Sequence, residues 1–366
     1  MASSTPPLVH TLPDARWSCR SCGHCCRDFD LGPVEPPTFA ALVAADPPSF
    51  WPPAAAQPWY ELRQGPDGSS DAWLAHRQGS CIFLDDQRRC AIHAHLGPAA
   101  KPAFCREFPF HLVHQRSGYA AIVRPTCAGL HLSCQDGEPL DAQVQELPEL
   151  PRAYPVARFE PDSVEILPGV GLDASGWHAS EPAILRLLLA PLEDPRLTVA
   201  QLRQALARAT GRALPPPDAQ RYHHAVLETL QLLASALRPL ATQTDSPRAA
   251  LPALAVTWIE RAIETPPQGL LPMGADACGY LNGILRSLVF GRLFHRQGGL
   301  PRSMGQLLVD LHMARSVALD LSPDAGPEPA ALASVLAPWW GLAAHGALVQ
   351  ATRQAGPKLD SVFLNA

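Results

Sequence analysis

Ten cysteines are distributed very unevenly along this 366-residue chain, and their distribution limits its fold more than any other feature. Nine of them lie in the first 134 residues, and only Cys278 lies in the 232 that follow. The densest run, WSCRSCGHCC, places Cys19, Cys22, Cys25 and Cys26 within eight residues. A segregation of this kind predicts a separate cysteine-rich domain in the N-terminal part of the chain.

The use of these thiols depends on the cellular compartment. The first residues, MASSTPPLVHTLPDAR, have no basic segment followed by an apolar one, so no secretory signal is expected. The longest uncharged stretch, Pro329–Thr352, is interrupted by Pro338 and Gly341 and has two tryptophans in its middle. Tryptophans of membrane spans usually lie at the interfaces, so this stretch predicts a buried helix and no membrane span. The sequence therefore predicts a cytoplasmic protein.

Net charge excludes one class of partner. The formal charge is −5 and the pI is about 6.3, so the chain has no basic excess for binding nucleic acid.

Stable disulfides are rare in the cytoplasm, so this many thiols favour soft metal ligands. Other uses stay open: a disulfide scaffold, packing as small buried hydrophobes, or a thioredoxin-type redox pair, which needs a βαβ context that we do not find. We interpret Cys278 as a core residue, and for Cys134 both packing and ligation stay open.

The spacing within the first cysteine run supports metal binding. Cys19-x-x-Cys22-x-x-Cys25 is the spacing that zinc knuckles and iron–sulfur sites use to direct thiolates at one centre. Cys25 and Cys26 are adjacent, and adjacent side chains tend to diverge. We therefore expect one of these two to bind the first centre and the other to serve a second centre or only to pack.

Three later segments deliver further cysteines. CIFLDDQRRC is interpreted as two short strands joined by a turn at Asp85–Arg88, which would bring Cys81 and Cys90 together. Cys105 follows in KPAFCREFPF, and the pattern HLVHQRSGYAAIVRPTC predicts a second hairpin that leads to Cys127.

The candidate metal ligands are thus spread over residues 19–127. They are enough for two four-coordinate sites or for one cluster with spare thiols: Cys19, Cys22, Cys25, Cys26, Cys81, Cys90, Cys105 and Cys127. His93 is interpreted either as a further ligand or as a hydrogen-bond donor to a thiolate. Thiolate coordination fits zinc and iron–sulfur alike, and more than four converging thiols favours an iron–sulfur cluster with a second site.

Four blocks of this region carry a family resemblance: CRSCGHCC, GSCIFLDD, CAIH and KPAFCREFP, in this order. Together they resemble the cysteine-cluster (YkgJ-type) family with its CxxCxxCC signature. The resemblance covers roughly residues 17–130 and implies a zinc- or iron-chelating domain.

The longer chain is similar to the flagellin lysine-N-methylase branch, on the segments VRPTCAGLHLSC and YLNGILRSLVFGRLF. That resemblance implies methyl transfer from S-adenosylmethionine to the lysine side chains of a flagellin-like protein substrate. We find no Rossmann-type turn, because we expect no helix after Gly169–Gly171, and no CxxxCxxC spacing of a radical S-adenosylmethionine enzyme. Catalytic and donor-binding residues therefore stay unassigned.

The predicted fold class is α+β. A small cysteine-rich metal-binding domain with short hairpins occupies residues 15–134, a linker with a short hairpin spans 135–180, and a mainly α-helical domain spans 181–366. The segment WYELRQGPDGSSDAWLAH predicts a hairpin over the Gly-Pro-Asp-Gly turn. The linker hairpin is predicted to turn at Pro161–Ser163.

Apolar periodicity predicts the helices of the last part. LTVAQLRQALARATG predicts a helix that begins at a capping box of Thr198 and Gln201. The segment DAQRYHHAVLETLQLLASALRP predicts the next helix, which Pro239 ends. Further helices are predicted near 252–264, 276–295, 303–320 and 330–353.

Two hypotheses for the function follow. The first is a metal-binding cysteine-cluster protein with lysine methylase activity that uses S-adenosylmethionine. The second is a non-catalytic module, stabilised by its metal, that binds a partner or senses metal or redox state.

Overall fold

The computed structural model shows an α+β chain, in agreement with the prediction from sequence. It describes residues 8–28, 32–64, 68, 70–115, 117–150, 156, 158–159, 162–188, 195–242, 250–265, 273–293, 298–321, 328–343 and 346–366.

The chain divides into two compact units. The first comprises Met1–Gly129 and Asp136–Arg158, and the second comprises Leu130–Gln135 and Phe159–Ala366. The division into domains at residues 15–134, 135–180 and 181–366 stays a prediction.

All but two of the described strands lie in the first unit. In chain order the strands are β1 Val9–His10, β2 Arg16–Trp17, β3 Tyr60–Gln64, β4 Ser70–Leu74, β5 His76–Arg77, β6 Ser80–Cys81, β7 Phe110–Gln115, β8 Gly118–Val123, β9 Glu138–Pro139, β10 Val164–Leu167 and β11 Val170–Leu172. Strand β1 pairs in parallel with β8, and the other pairs, β2–β9, β3–β4, β5–β6, β7–β8 and β10–β11, are antiparallel.

The helices before residue 150 are short. In chain order they are α1 His24–Asp28, α2 Pro36–Ala44, α3 Pro47–Phe50, α4 Pro52–Ala56, α5 Ala91–Leu96, α6 Ala103–Glu107, α7 Leu130–Asp136 and α8 Asp141–Val144.

Longer helices follow. They are α9 Ala174–Leu187, α10 Pro195–Thr210, α11 Ala219–Ala241, α12 Ala250–Glu264, α13 Ala275–Phe290, α14 Leu300–Leu321, α15 Pro329–Ala343, α16 Gly346–Gln354 and α17 Gly356–Asn365.

A small apolar core supports the middle of the first unit. Its buried members include Leu42 on α2, Phe83 just after β6 and Ile92 on α5. Cys81 and Cys90, which are only partly buried, pack against this core. Two of the candidate ligands are therefore held at the edge of a packed core and not on a free loop.

Two predicted hairpins are confirmed. Strands β3 and β4 pair from Tyr60↔Leu74 to Gln64↔Ser70, and most of the turn between them lies outside the described residues. Strands β7 and β8 pair from Phe110↔Val123 to Gln115↔Gly118, and the chain then leads to Cys127 as expected.

The turn expected at Asp85–Arg88 within CIFLDDQRRC forms, with the Arg88 N–H donating to the Asp85 carbonyl at 2.9 Å, but the strand pair expected around it is wrong. Cys81 pairs instead with His76 of β5, and Cys90 makes an isolated bridge with Leu84. The Asp85 carboxylate accepts hydrogen bonds from the Arg89 backbone N–H at 2.7 Å and from its Nε at 2.9 Å. These bonds accompany a register in which Leu84 lies opposite Cys90, so Cys81 and Cys90 are not cross-strand partners.

The linker hairpin is displaced along the chain. Its strands are β10 and β11, and they turn after Leu167; Pro161 of the turn expected at Pro161–Ser163 lies outside the described residues. Helix α9 follows directly, because the Asp173 side chain caps it by accepting the Gly176 N–H at 2.7 Å. The expectation that no helix follows Gly169–Gly171 is therefore wrong.

The helical unit contains the predicted helices with shifted ends. Helices α11 to α14 confirm the segments predicted from apolar periodicity, and Asp218 caps α11. Helix α10 begins at Pro195, three residues before the expected capping box, because proline is well suited to the first helical position. Helix α17 was not predicted; it packs so closely on α14 that a Cβ at Gly305 would collide with the Leu359 carbonyl.

The stretch predicted as one helix at 330–353 forms α15 and α16, and residues 344–345 between them lie outside the described residues. No single helix in the described ranges is long and apolar enough to cross a membrane. Pro329–Leu342 and Ala347–Gln354 reach that length and hydropathy only as a pair, bent by 98° at the break.

A buried carboxylate joins α14 to α15. Asp310 is 3% exposed and accepts hydrogen bonds from Trp339 Nε1 at 2.8 Å, Trp340 Nε1 at 2.7 Å and Gln306 Nε2 at 2.7 Å. All three donors are uncharged. Burial raises the pKa of Asp310 to about 6, and the three hydrogen bonds only partly oppose that shift.

Candidate metal centre

Five of the eight candidate ligands line one cavity in the first unit. They are Cys25, Cys26, Cys81, Cys90 and Cys105. Helix α1 supplies two of them, β6 and α6 supply one each, and Cys90 lies at the start of α5. Four segments that are distant in sequence thus present half-buried thiols to one space.

Cys25 and Cys26 both line this cavity, contrary to the expectation that adjacent side chains would separate. Their Sγ atoms lie 3.8 Å apart on the short helix α1. A tight turn precedes that helix: Ser21 and Gly23 have φ of 48° and 73°, and the Cys26 N–H bonds the Gly23 carbonyl at 3.1 Å.

The thiols differ in acidity. The hydrogen bond between the two neighbours lowers the pKa of Cys25 to about 7 and raises that of Cys26 far above its ordinary value. Burial raises the pKa of Cys81 to about 12 and also raises that of Cys105. Because metal ligation requires thiolates, binding here must release protons and is favoured by higher pH.

Lys101 is the cation of the cavity wall. Its charge lowers the pKa of Cys25, Cys81 and Cys105, against the larger effect of burial at the last two. It follows α5 and immediately precedes Pro102, which also lines the cavity. Lys101 therefore offsets part of the negative charge that converging thiolates create.

A buried carboxylate anchors the helix that carries Cys105. Glu35 is 2% exposed, and its two oxygens accept the Ala103 N–H at 2.9 and 3.1 Å. The Thr38 hydroxyl donates to the same carboxylate at 2.7 Å. Ala103 begins α6, and the residue before it is Pro102, which has no side chain able to cap the helix. Glu35 thus anchors the start of the helix that carries Cys105, through a bond to Ala103, which is 68 residues away in sequence.

We expect Glu35→Gln to destabilise the first unit and to lower its metal content. An amide loses the charge-assisted bonds to Ala103 and turns a donor towards another donor, at a cost of about 1.5–3 kcal/mol in the free energy of unfolding. Urea unfolding and metal analysis of the same sample would measure both effects. Glu61→Gln, on a more exposed side chain of β3, is the matched control and should change stability by less than about 0.5 kcal/mol. Equal stability of the two variants would contradict the anchoring role.

Three candidate ligands do not line the cavity. Cys19 is exposed, Cys22 is half-buried and Cys127 is buried. Burial raises the pKa of Cys127 to about 11, and the Trp17 indole acts in the opposite direction; Cys22 and Cys25 are near enough to add repulsion. The ligand role of these three thiols stays a prediction.

The remaining cysteines and His93 have other surroundings. Cys278 is 4% exposed on α13, and its Sγ lies 3.9 Å from the Met273 carbonyl oxygen. It is therefore packed as a core residue. The side chain of Cys134 lies outside the described residues. His93 is exposed on α5 and does not line the cavity.

The chemistry of the cavity fits a small metal centre. Thiolates are soft ligands that suit zinc and iron–sulfur centres. The cavity volume is about 60 Å³, and one water-sized sphere needs about 10–15 Å³, so there is room for a few atoms. Gly32 lines it at a φ of 75°, where any Cβ would collide with the Phe104 ring beside Cys105.

Ligation nevertheless requires side chains to turn. Among the residues that the structure describes, no three His, Cys, Asp or Glu side chains are grouped closely enough to hold a metal ion. The cavity therefore brings the donors together without setting their final coordination geometry.

Comparison with known families points to the same region of the chain. Residues 18–128 match the family described as "CxxCxxCC: Putative zinc- or iron-chelating domain". Residues 18–128 are therefore similar to this family, and we call them the CxxCxxCC domain. It contains every one of the eight candidate ligands, and Cys134 and Cys278 lie outside it. No curated protein and no solved structure matches the chain, so the resemblance to flagellin lysine-N-methylases stays a prediction.

Sequence reasoning missed three residues of the CxxCxxCC domain: Lys101, Glu35 and His76, which also lines the cavity. Lys101 had a signal, since it is one of only two lysines in a chain with 29 basic residues and lies in the KPAFC block. Glu35 had no local signal, because its partner Ala103 is distant in the chain.

Proposed function

We propose that the CxxCxxCC domain of this protein binds one zinc or iron centre, with ligands drawn from the five thiols of the cavity: Cys25, Cys26, Cys81, Cys90 and Cys105. The observation that carries the proposal is that these five thiols line one small cavity. Of the two arrangements left open by the sequence, this favours a single centre with spare thiols over two four-coordinate sites. Cys19, Cys22 and Cys127 are the spare thiols.

The metal serves first to hold the domain together. Strands β5 and β6, beside the cavity, have two residues each, and α6 has five. Elements this short are not stable by themselves. A metal that links four such segments supplies folding free energy that the small core lacks.

Lys101 and Glu35 support this centre without binding it. Lys101 reduces the repulsion between thiolates, and Glu35 keeps α6, and with it Cys105, against the cavity. When bound, zinc or iron would cross-link the thiolates.

Purification without oxygen, followed by elemental analysis, an absorption spectrum and an assay for acid-labile sulfide, tests the proposal. We expect zinc or iron in a fixed ratio to protein, and removal of the metal by a chelator should unfold the first unit. A chain that stays metal-free after reloading with Zn²⁺ and with Fe²⁺ under reducing conditions would contradict it.

Methyl transfer to lysine from S-adenosylmethionine is a finer hypothesis that rests on the sequence resemblance. Calorimetric titration of the metal-loaded chain with S-adenosylmethionine tests it, and a lack of binding would leave the metal-stabilised module as the function. The flagellin-like substrate and the cytoplasmic location stay predictions.

A further inference from the structure

We propose that His76 supplies a nitrogen ligand to the metal centre beside Cys81. This inference rests on the proposed function and adds to it a residue outside the cysteine set. It predicts a mixed sulfur and nitrogen coordination instead of an all-thiolate one.

The backbone places His76 directly opposite Cys81. Strands β5 and β6 form a hairpin with the register His76↔Cys81 and Arg77↔Ser80. The two turn residues, Gln78 and Gly79, have φ of 51° and 78°, as a two-residue type I′ turn requires.

The hydrogen-bond pattern shows that this pair is a close one. In a two-residue hairpin the pair next to the turn, here Arg77 and Ser80, is hydrogen-bonded. The Ile82 N–H donates to the Ala75 carbonyl at 2.9 Å, which marks the hydrogen-bonded pair on the other side. His76 and Cys81 between them therefore form a non-hydrogen-bonded pair, in which side chains on the same face approach most closely.

Both side chains of this pair face the thiol cavity. His76 and Cys81 each line it, together with the other four thiols. Both ring nitrogens of His76 are buried. A ring that lines the same cavity as the thiols is placed to bind a metal ion that they hold.

Coordination chemistry favours this assignment. Neutral imidazole is the commonest protein ligand for metals, and zinc accepts sulfur and nitrogen donors in one tetrahedral site. Four thiolates around a divalent ion leave two negative charges, whereas three thiolates and one imidazole leave one. A neutral donor thus lowers the charge that Lys101 must offset alone.

X-ray absorption at the edge of the bound metal, on the full chain purified without oxygen, tests the inference. For zinc we expect a nitrogen at about 2.0–2.1 Å in addition to sulfur at about 2.3 Å. His76→Ala should remove that nitrogen and weaken metal binding by more than about 100-fold, beyond the 10–100-fold typical of groups that only hydrogen-bond to ligands. His76→Cys should retain the metal with an all-sulfur shell.

His93→Ala is the matched control, because His93 is exposed on α5 outside the cavity, and it should leave the nitrogen in place. An all-sulfur shell in the unmodified chain, or a nitrogen that persists in His76→Ala, would overturn the inference and leave the proposed metal centre standing. A chain that binds no metal at all would instead remove the proposed function.

Discussion

Replacing Cys81 with serine is expected to abolish metal binding by the CxxCxxCC domain and to unfold it. Cys81 lies at the centre of the arrangement, since it packs on the apolar core, lines the cavity and faces His76. A serine hydroxyl is a hard oxygen donor that does not replace a soft thiolate. The affinity for metal should fall by at least about 100-fold, since even groups outside the ligand set cost 10–100-fold when removed.

Two serine substitutions are controls for this result. Cys278→Ser changes a buried thiol in the second unit and should leave the metal content unchanged. Cys19→Ser changes an exposed thiol of the same CxxCxxCC motif, and it should also retain the metal. Elemental analysis after gel filtration, with circular dichroism of the same fractions, would compare the three variants.

The Cys19→Ser control tests whether the metal is bound by the thiols of the cavity or by the CxxCxxCC run. If Cys19→Ser loses the metal as completely as Cys81→Ser does, the centre is built on the CxxCxxCC run and not on the five thiols of the cavity. If Cys278→Ser loses it, the metal does not belong to the CxxCxxCC domain alone.

The second large effect concerns pH and the helical unit. Asp310 is expected to make that unit less stable as the pH rises from about 4 to 7. Its pKa is about 6 in the folded chain, against 3.8 for an ordinary aspartate, so the folded state binds the proton more tightly than the unfolded state does. The contribution to stability is complete below pH 3.8 and is lost as the pH rises through 6.

The size of the effect follows from the shift. One unit of pKa corresponds to 1.36 kcal/mol, so the loss amounts to roughly 3 kcal/mol in the free energy of unfolding. Asp310→Asn removes the titrating group. The difference in the free energy of unfolding between this variant and the unmodified chain should therefore change by roughly 3 kcal/mol between pH 4 and pH 7.

Urea unfolding followed by tryptophan fluorescence suits the measurement, because Trp339 and Trp340 both donate to Asp310. Asp276→Asn, an exposed carboxylate on α13, controls for the loss of a carboxylate as such. A difference between Asp310→Asn and the unmodified chain that does not vary with pH would show that burial does not shift this group.

Several parts of the fold were predictable because their signals are local. Apolar periodicity located α11 to α14, and alternating apolar residues around short polar turns located the β3–β4 and β7–β8 hairpins. Helix ends were less predictable. Pro195 started α10 before Thr198, and Asp173 capped α9 where no helix was expected.

The candidate site was predictable as a set of thiols but not as an arrangement. The turn closed by Asp85 and Arg89 keeps Cys90 off the strand of Cys81, so the expected strand pairing was wrong although both thiols line the cavity. The turn at Gln78-Gly79, which places His76 opposite Cys81, was not predicted.

Local sequence patterns identified the donor set: nine thiols in the first 134 residues, with a match of residues 18–128 to the CxxCxxCC family and a helical region after it. The folded chain was needed to show which of these thiols meet and which other groups lie beside them. Glu35 anchors the helix that presents Cys105 to the cavity, and Lys101 lines the cavity wall. The β5–β6 hairpin places His76 at the cavity, opposite Cys81. Spacing and periodicity report on interactions between residues that are close in sequence. The cavity could not be predicted from them, because it forms from contacts between segments that are far apart in the chain.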